Sequence, residues 1–391
     1  MARAHLFVTL TGLLGAFLLV QGCSSEEDGT PGGSNGSSSS SGGTSGGPTN
    51  PDDGPTAGRP DGQCAVPAEA QPEDVSSPRT VVGDGTPESC TGDAFVDAVA
   101  KGGVITFDCG AAPVTITLTK TARIFNDKGP KIVIDGGDKV TLSGGGKVRI
   151  LYMNVCDEAQ VFTSSRCNDQ TEPQLTLQNL TFTDGNAKGL QGSAKGADDG
   201  GGGAVFVRGG RVKIHHCRFF NNVCDDRDSD IGGGAVRVLN HLANGAGSTD
   251  RPVYIVDSTF GGKDGFGNTC ANGGAISSIG TSYTIINSVL SHNKAIGEGA
   301  NDGEGGNGGA IYNDGNLFKL DVCGTLIEDN RANEGGSAIF FVSNNETGTL
   351  ALTDSTLRRN PRGQFETSGF PGIFIISKEK KPVVTRSTIE R

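Results

Sequence analysis

Residues Gly201–Val205 read "GGGAV", and Gly232–Val236 read the same again. Near-copies follow as "GGAI" at Gly273–Ile276 and Gly308–Ile311, and as "GGSAI" at Gly335–Ile339. A motif returning roughly every 27–40 residues marks a repeat architecture, whose units bury their apolar faces only against their neighbours. Behind the glycine blocks runs a second pattern of alternating apolar residues, a corner residue, a small residue, a spacer and another apolar residue. It reads "LTLQNLTF" (Leu175–Phe182), "VKIHHCRF" (Val212–Phe219), "VYIVDSTF" (Val253–Phe260), "YTIINSVL" (Tyr283–Leu290) and "LALTDSTL" (Leu350–Leu357). "FKLDVCGTL" (Phe318–Leu326) reads as the same pattern with one extra residue, and "VVTRSTI" (Val383–Ile389) as a degraded last copy.

Alternation with a period of two predicts strands with one buried face. Each unit therefore holds two short strands around a bend, plus a third at the glycine block. The bend column is Asn179, His216, Asp257, Asn287, Val322, Asp354 and Arg386. Asn and Asp tolerate the left-handed conformation that a sharp corner demands. The glycines permit the other corner, Ala packs in a narrow interior, and Val or Ile opens the next strand. Three strands per unit, with no helical pattern between units, predict an all-β parallel β-helix whose coils satisfy one another's backbone groups. "TGDAFVDAVAKGG" (Thr91–Gly103) predicts a capping helix, with Thr91 as N-cap, Phe95, Val96 and Val99 as the apolar stripe and Gly102 as the stop. Regular coils run over about 104–391, and "RGQFETSGFPGIFIISKEKKP" near the end reads as a C-terminal cover.

A capping helix followed by three-strand coils resembles the right-handed parallel β-helix superfamily, often called pectin-lyase-like, and right-handedness is implied by that resemblance. The paired signatures also resemble the chlamydial polymorphic outer-membrane proteins, whose coils carry GGA(I/L/V) and FxxN. FxxN is met at Phe219–Asn222, with looser versions at Leu290–Asn293, Ile327–Asn330 and Leu357–Asn360. The superfamily hosts lyases, hydrolases and adhesins, so fold alone does not assign an activity.

At the N-terminus, Arg3 and His5 precede an apolar run, Leu6–Val20, that is short for a membrane span. The run ends in "LVQGC" (Leu19–Cys23), which resembles a bacterial lipobox with lipidation at Cys23. Residues 1–22 are thus expected to be a signal peptide. Residues 23–63, rich in Gly and Ser, are a flexible tether, and 64–391 form the β-helix domain. Ser24 after the cysteine points to the outer membrane as the destination. The net charge of −11 supplies no basic stripe for nucleic acid.

Ten cysteines in an exported chain predict disulfides. Cys90 with Cys109, Cys156 with Cys167, and Cys224 with Cys270 are the expected pairs. Cys217 and Cys323 fall at or beside the small-residue column and read as buried thiols, leaving Cys64 over.

Acidic residues gather ahead of the glycine blocks, at Asp198–Gly200, Cys224–Asp230 and Glu298–Glu304. Asp225, Asp226, Asp228 and Asp230 could hold Ca²⁺, or the edge could be simply a solvated negative surface. The first outward position after each glycine block is Phe206, Arg237, Ser277, Tyr312 and Phe340. Stacked about 4.8 Å apart, these form either a glycan-stacking strip or a surface that long loops cover. For proton abstraction the basic candidates are Arg208, Arg211, Lys213, His215 and Arg237. His216, in the corner column, reads as structural, and Asp314 is the carboxylate nearest the strip. The sequence thus supports a cell-surface lipoprotein whose β-helix binds glycan or another surface without catalysis. The alternative is a membrane-anchored polysaccharide lyase or glycoside hydrolase.

Overall fold

The corner residues decide how the chain coils. Backbone φ is positive at Asn179 (54°), His216 (51°), Asp257 (45°), Asn287 (49°), Asp354 (48°) and Arg386 (46°). The structure, a computed structural model, describes residues 54–190, 200–239 and 252–391. The signal segment, Cys23, most of the tether and Asp198 lie outside the described residues.

Between these corners the strands pair in parallel, coil upon coil. One wall is an eight-stranded sheet in which Ala122–Ile124, Leu151–Asn154, Val205–Arg208, Val236–Leu239, Ile276–Ile279, Ile311–Gly315, Ile339–Ser343 and Ile373–Ile376 succeed one another in space. The strands on either side of each corner make a seventeen-stranded sheet, and a three-stranded sheet supports the turn after it. The register keeps like with like, since Ile276 pairs with Val236 and Ile311, and Ile255 with Ile214 and Ile285. This is the parallel β-helix, with its cap: helix α1 (Gly92–Lys101) starts where the Thr91 side chain accepts from the Ala94 N–H at 3.1 Å and stops at Gly102 (φ 67°). Phe95, Ala98 and Val99 bury against the first coil, with Val96 half-buried beside them.

Two polar columns run through the apolar interior. The backbone N–H of each small residue donates to the hydroxyl of the next coil: Cys217 to Ser258 (3.0 Å), Ser258 to Ser288 (3.2 Å), Ser288 to Thr325 (3.2 Å), Thr325 to Ser355 (3.2 Å) and Ser355 to Ser387 (3.0 Å). The second column is an asparagine ladder of Asn222, Asn268, Asn293, Asn330 and Asn360, in which each of the first four donates through Nδ2 to the Oδ1 of the next, at 2.9–3.1 Å. Four of its five members are the asparagines of the FxxN tetrapeptides. Between the columns Phe182, Phe219 and Phe260 stack at 4.9 and 4.5 Å. At the glycine corner, Gly273 takes φ 52°, and a Cβ on Gly274 would lie 2.4 Å from the Gly309 carbonyl oxygen. The second glycine is therefore required by the close approach of adjacent coils.

Three sequence expectations need correction. In the coil at 318–326, Leu320 pairs with Tyr283 and Cys323 with Ile286, so the corner is Gly324 (φ 61°) rather than Val322 and there is no extra residue. Phe318 precedes the strand and packs on Phe341 at 4.6 Å. A shifted frame moves side chains to the opposite face, and Cys323 leaves the small-residue column for an outward position. There it bonds Cys64, the cysteine left unpaired by sequence. The other three pairs, and buried Cys217 as a free thiol, are as expected. Secondly, residues 54–63 are not free tether. The Arg59 N–H donates to Asn287 O (2.7 Å) and its guanidinium to Thr325 O (3.2 Å), while the Thr259 hydroxyl donates to Thr56 O (2.8 Å). Thirdly, the supposed C-terminal cover contributes Ile373–Ile376, which extends the eight-stranded sheet against Ile339–Val342.

From Gly54 to Thr80 the chain forms a strap along the rod. It is clipped by Cys64–Cys323, turns through a short 3-10 helix at Ala68–Ala70, and ends in Thr80–Val82, paired with Ile105–Phe107. No helix among the described residues is long and apolar enough to cross a membrane.

Candidate functional site

The strip predicted on the outer face of the eight-stranded sheet exists as a stack. Phe206, Arg237, Ser277, Tyr312 and Phe340 pair in register, and Tyr152 and Phe374 extend the column at its two ends. It is not a surface: these five are exposed by 0, 2, 1, 0 and 3 % in that order. Tyr152 and Phe206 stack at 5.3 Å under Arg149, whose guanidinium lies 4.9 Å from the Phe206 ring. Tyr312 and Phe340 stack at 5.1 Å, Phe374 continues the stack at 5.2 Å, and Phe365 meets Phe340 edge-on at 6.5 Å. Arg237 donates from Nη1 to the Asp230 carbonyl at 2.6 Å. The loops before and after the strands fold over the strip because its aromatic rings offer apolar area to bury. Phe206, Arg237, Tyr312 and Phe340 therefore cannot stack on a sugar from solvent.

Beside Tyr312 lies a polar cluster. The Tyr312 hydroxyl donates to Asp314 Oδ2 at 3.3 Å and accepts from Asn301 Nδ2 at 3.2 Å, and Asn344 donates to Asp314 Oδ1 at 2.8 Å. Burial pushes the Asp314 carboxyl above the ordinary aspartate range and the Tyr312 hydroxyl well above that of tyrosine. Nearby, Ser277 Oγ and Asn307 Oδ1 are buried without a hydrogen-bond partner among the described residues. Asp314 keeps partial access to solvent, and its proton affinity is raised over that of an exposed aspartate by burial.

Arg211 and Lys213 sit elsewhere, on the seventeen-stranded sheet. Two residues apart on one strand, they share its outer face and line a groove of about 660 Å³ between that sheet and the strap. Lys131, Gln174, Thr176 and Tyr254 continue the floor across four successive coils, and Glu69, Gln71 and Glu73 form the strap side. Lys213 Nζ contacts Glu73 Oε1 at 2.7 Å and donates to Gln71 O at 2.6 Å, and Lys131 Nζ contacts Glu73 Oε2 at 2.9 Å. Burial raises the Glu73 pKa, and hydrogen bonds from Lys213 and Lys131 more than reverse it, leaving the carboxyl below its ordinary range. The Tyr254 hydroxyl donates to Glu69 Oε1 at 3.1 Å. Arg211 is exposed.

The remaining basic candidates do not join this groove. His215 faces the corner, with Nε2 4.0 Å from Asp257 and Nδ1 buried without a partner; burial lowers its pKa. His216 occupies the left-handed corner itself, 3.6 Å from Asp138. Arg208 donates to Asn168 Oδ1 at 3.0 Å, and Arg237 lies under the loops of the other sheet. No acid–base pair is assembled from Arg208, Arg211, Lys213, His215 and Arg237.

The acidic loop does not gather its oxygens either. Asp225 Oδ1 accepts from the Gly189 N–H and Asp228 Oδ1 from the Asp230 and Ile231 N–H groups, while Arg227 bridges Asp226 and Glu304. Among the described residues, the one trio of His, Cys, Asp or Glu within mutual ligating distance is Cys64, Cys323 and Asp354, whose two sulfurs form a disulfide. Asp228 thus caps its own turn, Asp225 holds Gly189 and Asp226 pairs with Arg227, and among the described residues no three of Asp225, Asp226, Asp228 and Asp230 bring their carboxylates within ligating distance of one another. Sequence reasoning missed the groove because the strap carries no periodicity to mark it; the one signal was "PAEAQPED" (Pro67–Asp74), polar yet outside the Gly/Ser tract.

No protein-family model matches this chain, and no curated protein matches it. Among solved structures it is similar to the crystal structure of Escherichia coli YbhC, at 12% identity and a TM-score of 0.29, over 84% of this chain and 90% of that one. At that score the likeness carries no argument, and the all-β fold rests on the strands themselves.

Proposed function

We propose that this chain is an exported, lipid-anchored β-helix that binds an extracellular glycan in the groove between the strap and the seventeen-stranded sheet. The observation that carries the reading is the groove itself, where Tyr254, Arg211 and polar side chains from neighbouring coils face solvent along about 660 Å³. An aromatic face beside hydrogen-bonding side chains suits a sugar chain, whose rings offer both C–H faces and hydroxyls. Four disulfides support an oxidising compartment. The lipobox-like "LVQGC" supports attachment through Cys23 at the outer membrane. A glycan array read with wild type, Arg211→Ala and Tyr254→Ala tests the groove, with weakened binding expected in both variants. Wild-type binding in both would overturn it. Cys23→Ala should shift the protein out of the detergent phase; unchanged partition would refute the anchor.

Asp314 favours a second reading, as a polysaccharide lyase or glycoside hydrolase. Burial raises the Asp314 pKa, which is the direction a general acid requires. Release of unsaturated or reducing ends from polyuronides, lost in Asp314→Asn, would support catalysis in place of binding alone.

A further inference from the structure

The strap places two of its own carboxylates on the floor of the groove. Glu73 bridges Lys131 and Lys213, which belong to strands two coils apart, and Glu69 lies on the Tyr254 hydroxyl one coil further on. With coils about 4.8 Å apart, the strap thereby sets two negative groups along roughly 15 Å of rod. The strap's own backbone adds to this, with Gln71 O accepting from Lys213. The segment is held at its two ends, at Cys64 by the disulfide to Cys323 and at Thr80–Val82 by the strand beside Ile105–Phe107. Between those anchors Val66 and Ala70 pack against Val256 and Ile286, Gln178 grips the Glu73 backbone, and the side-chain hold of Glu73 on the groove floor is ionic, through Lys131 and Lys213. The ionic part of that hold, with Lys131 exposed and Lys213 largely covered, exchanges for another anion without leaving the lysines unpaired.

We propose that Glu69 and Glu73 stand in for a carboxylate-bearing polymer, and that Lys131, Arg211, Lys213 and Tyr254 form its binding site, opened when the strap is displaced between its anchors. This deepens the glycan reading above and rests on it: the ligand is an acidic chain, and the strap is its internal competitor. A competitor that covers the site lowers apparent affinity by the fraction of molecules left open.

Polygalacturonate is the probe, with dextran as the neutral control, and affinities are measured on the full-length protein in detergent at low and at moderate salt. Glu73→Gln should bind polygalacturonate at least about tenfold more tightly than wild type, and added salt should weaken that binding. Adding Lys213→Ala to Glu73→Gln should remove the gain. A Glu73→Gln protein with an unchanged melt and unchanged or weaker polygalacturonate binding would overturn the proposal. Should Glu73→Gln fail to fold, the Cys64→Ser/Cys323→Ser pair loosens the same strap from its far end. A gain there that Lys213→Ala abolishes supports the proposal, and no gain overturns it. A wild type whose array binding is lost in Arg211→Ala, alongside a Glu73→Gln protein with no gain, sinks this inference while leaving the glycan reading standing. Equal gains for dextran and polygalacturonate would refute the acidic ligand alone.

Discussion

Replacing Asn293 by Ala probes the asparagine ladder at its centre. Asn293 Oδ1 accepts from the Asn268 N–H at 3.0 Å and from Asn268 Nδ2 at 2.9 Å, in a site with no solvent exposure. The substitution removes that acceptor and leaves two buried donors unpaired. At about 1–3 kcal/mol for each buried group so orphaned, the loss is about 2–6 kcal/mol. Asn293 Nδ2 also serves Phe260 O, Ser291 O and Asn330 Oδ1, so the acceptors lose a donor as well. Asn222 opens the ladder, and its Oδ1 accepts from the Gly185 N–H at 2.9 Å. Asn222→Ala should therefore cost less, about 1–3 kcal/mol, for one orphaned donor. Urea unfolding with disulfides intact measures both, read as midpoint shifts at constant slope. Equal losses at the two positions, or a loss below about 0.5 kcal/mol at Asn293, would refute the claim that each rung supports the one before it.

Ala275→Leu should cost about 1–3 kcal/mol by overpacking a fully buried site, while Lys319→Ala on the exposed edge of its strand should stay within about 0.5 kcal/mol in the same urea titration. Peptide mapping without reduction should recover Cys64 linked to Cys323. Cys217, its thiol pushed up to about 12 by burial, should react with alkylating reagent only after unfolding. Asp314 gives a pH test. Its folded pKa lies above the ordinary 3.8, so the native state binds the extra proton and wild-type stability falls as pH rises from about 3.8 through the raised value. Asp314→Asn should remove that fall, so its melting temperature should gain on wild type across this window; parallel melting curves from pH 3.5 to 7 would contradict it.

The interior of this rod was legible in the sequence because every coil repeats the same contacts. Asn179, Asp257 and Asn287 revealed the corner through a backbone requirement few residues meet, and the glycine blocks revealed a contact that no side chain fits. The coil at Phe318–Leu326 was misframed because Phe318 is as apolar as Leu320, and alternation by itself cannot say which of two apolar residues begins a strand. That single slip hid the partner of Cys64. Outside the coils the pattern ran out. Phe206, Tyr312 and Phe340 point away from the core as expected, but whether an outward ring meets solvent depends on loops whose course no periodicity encodes. The strap was invisible for the same reason: Arg59, Glu69 and Glu73 dock through individual hydrogen bonds and ion pairs to residues more than 50 positions away.

The Cys64–Cys323 bridge also determines how the molecule answers to force. A pull on the chain ahead of Gly54 first strips the hydrogen bonds of Arg59 and Thr56, then reaches a covalent bond, and tension passes straight into the coil at Leu320–Cys323. The capping helix and the first coils lie within the 259-residue loop that the bond closes, off the line of pull. That loop would add about 900 Å of extended chain if it came undone, so the bridge shields that length from stretching. A rod pulled in this way is held by its flank rather than by its tip, and its N-terminal coils are not peeled off one by one by force on the chain ahead of Gly54.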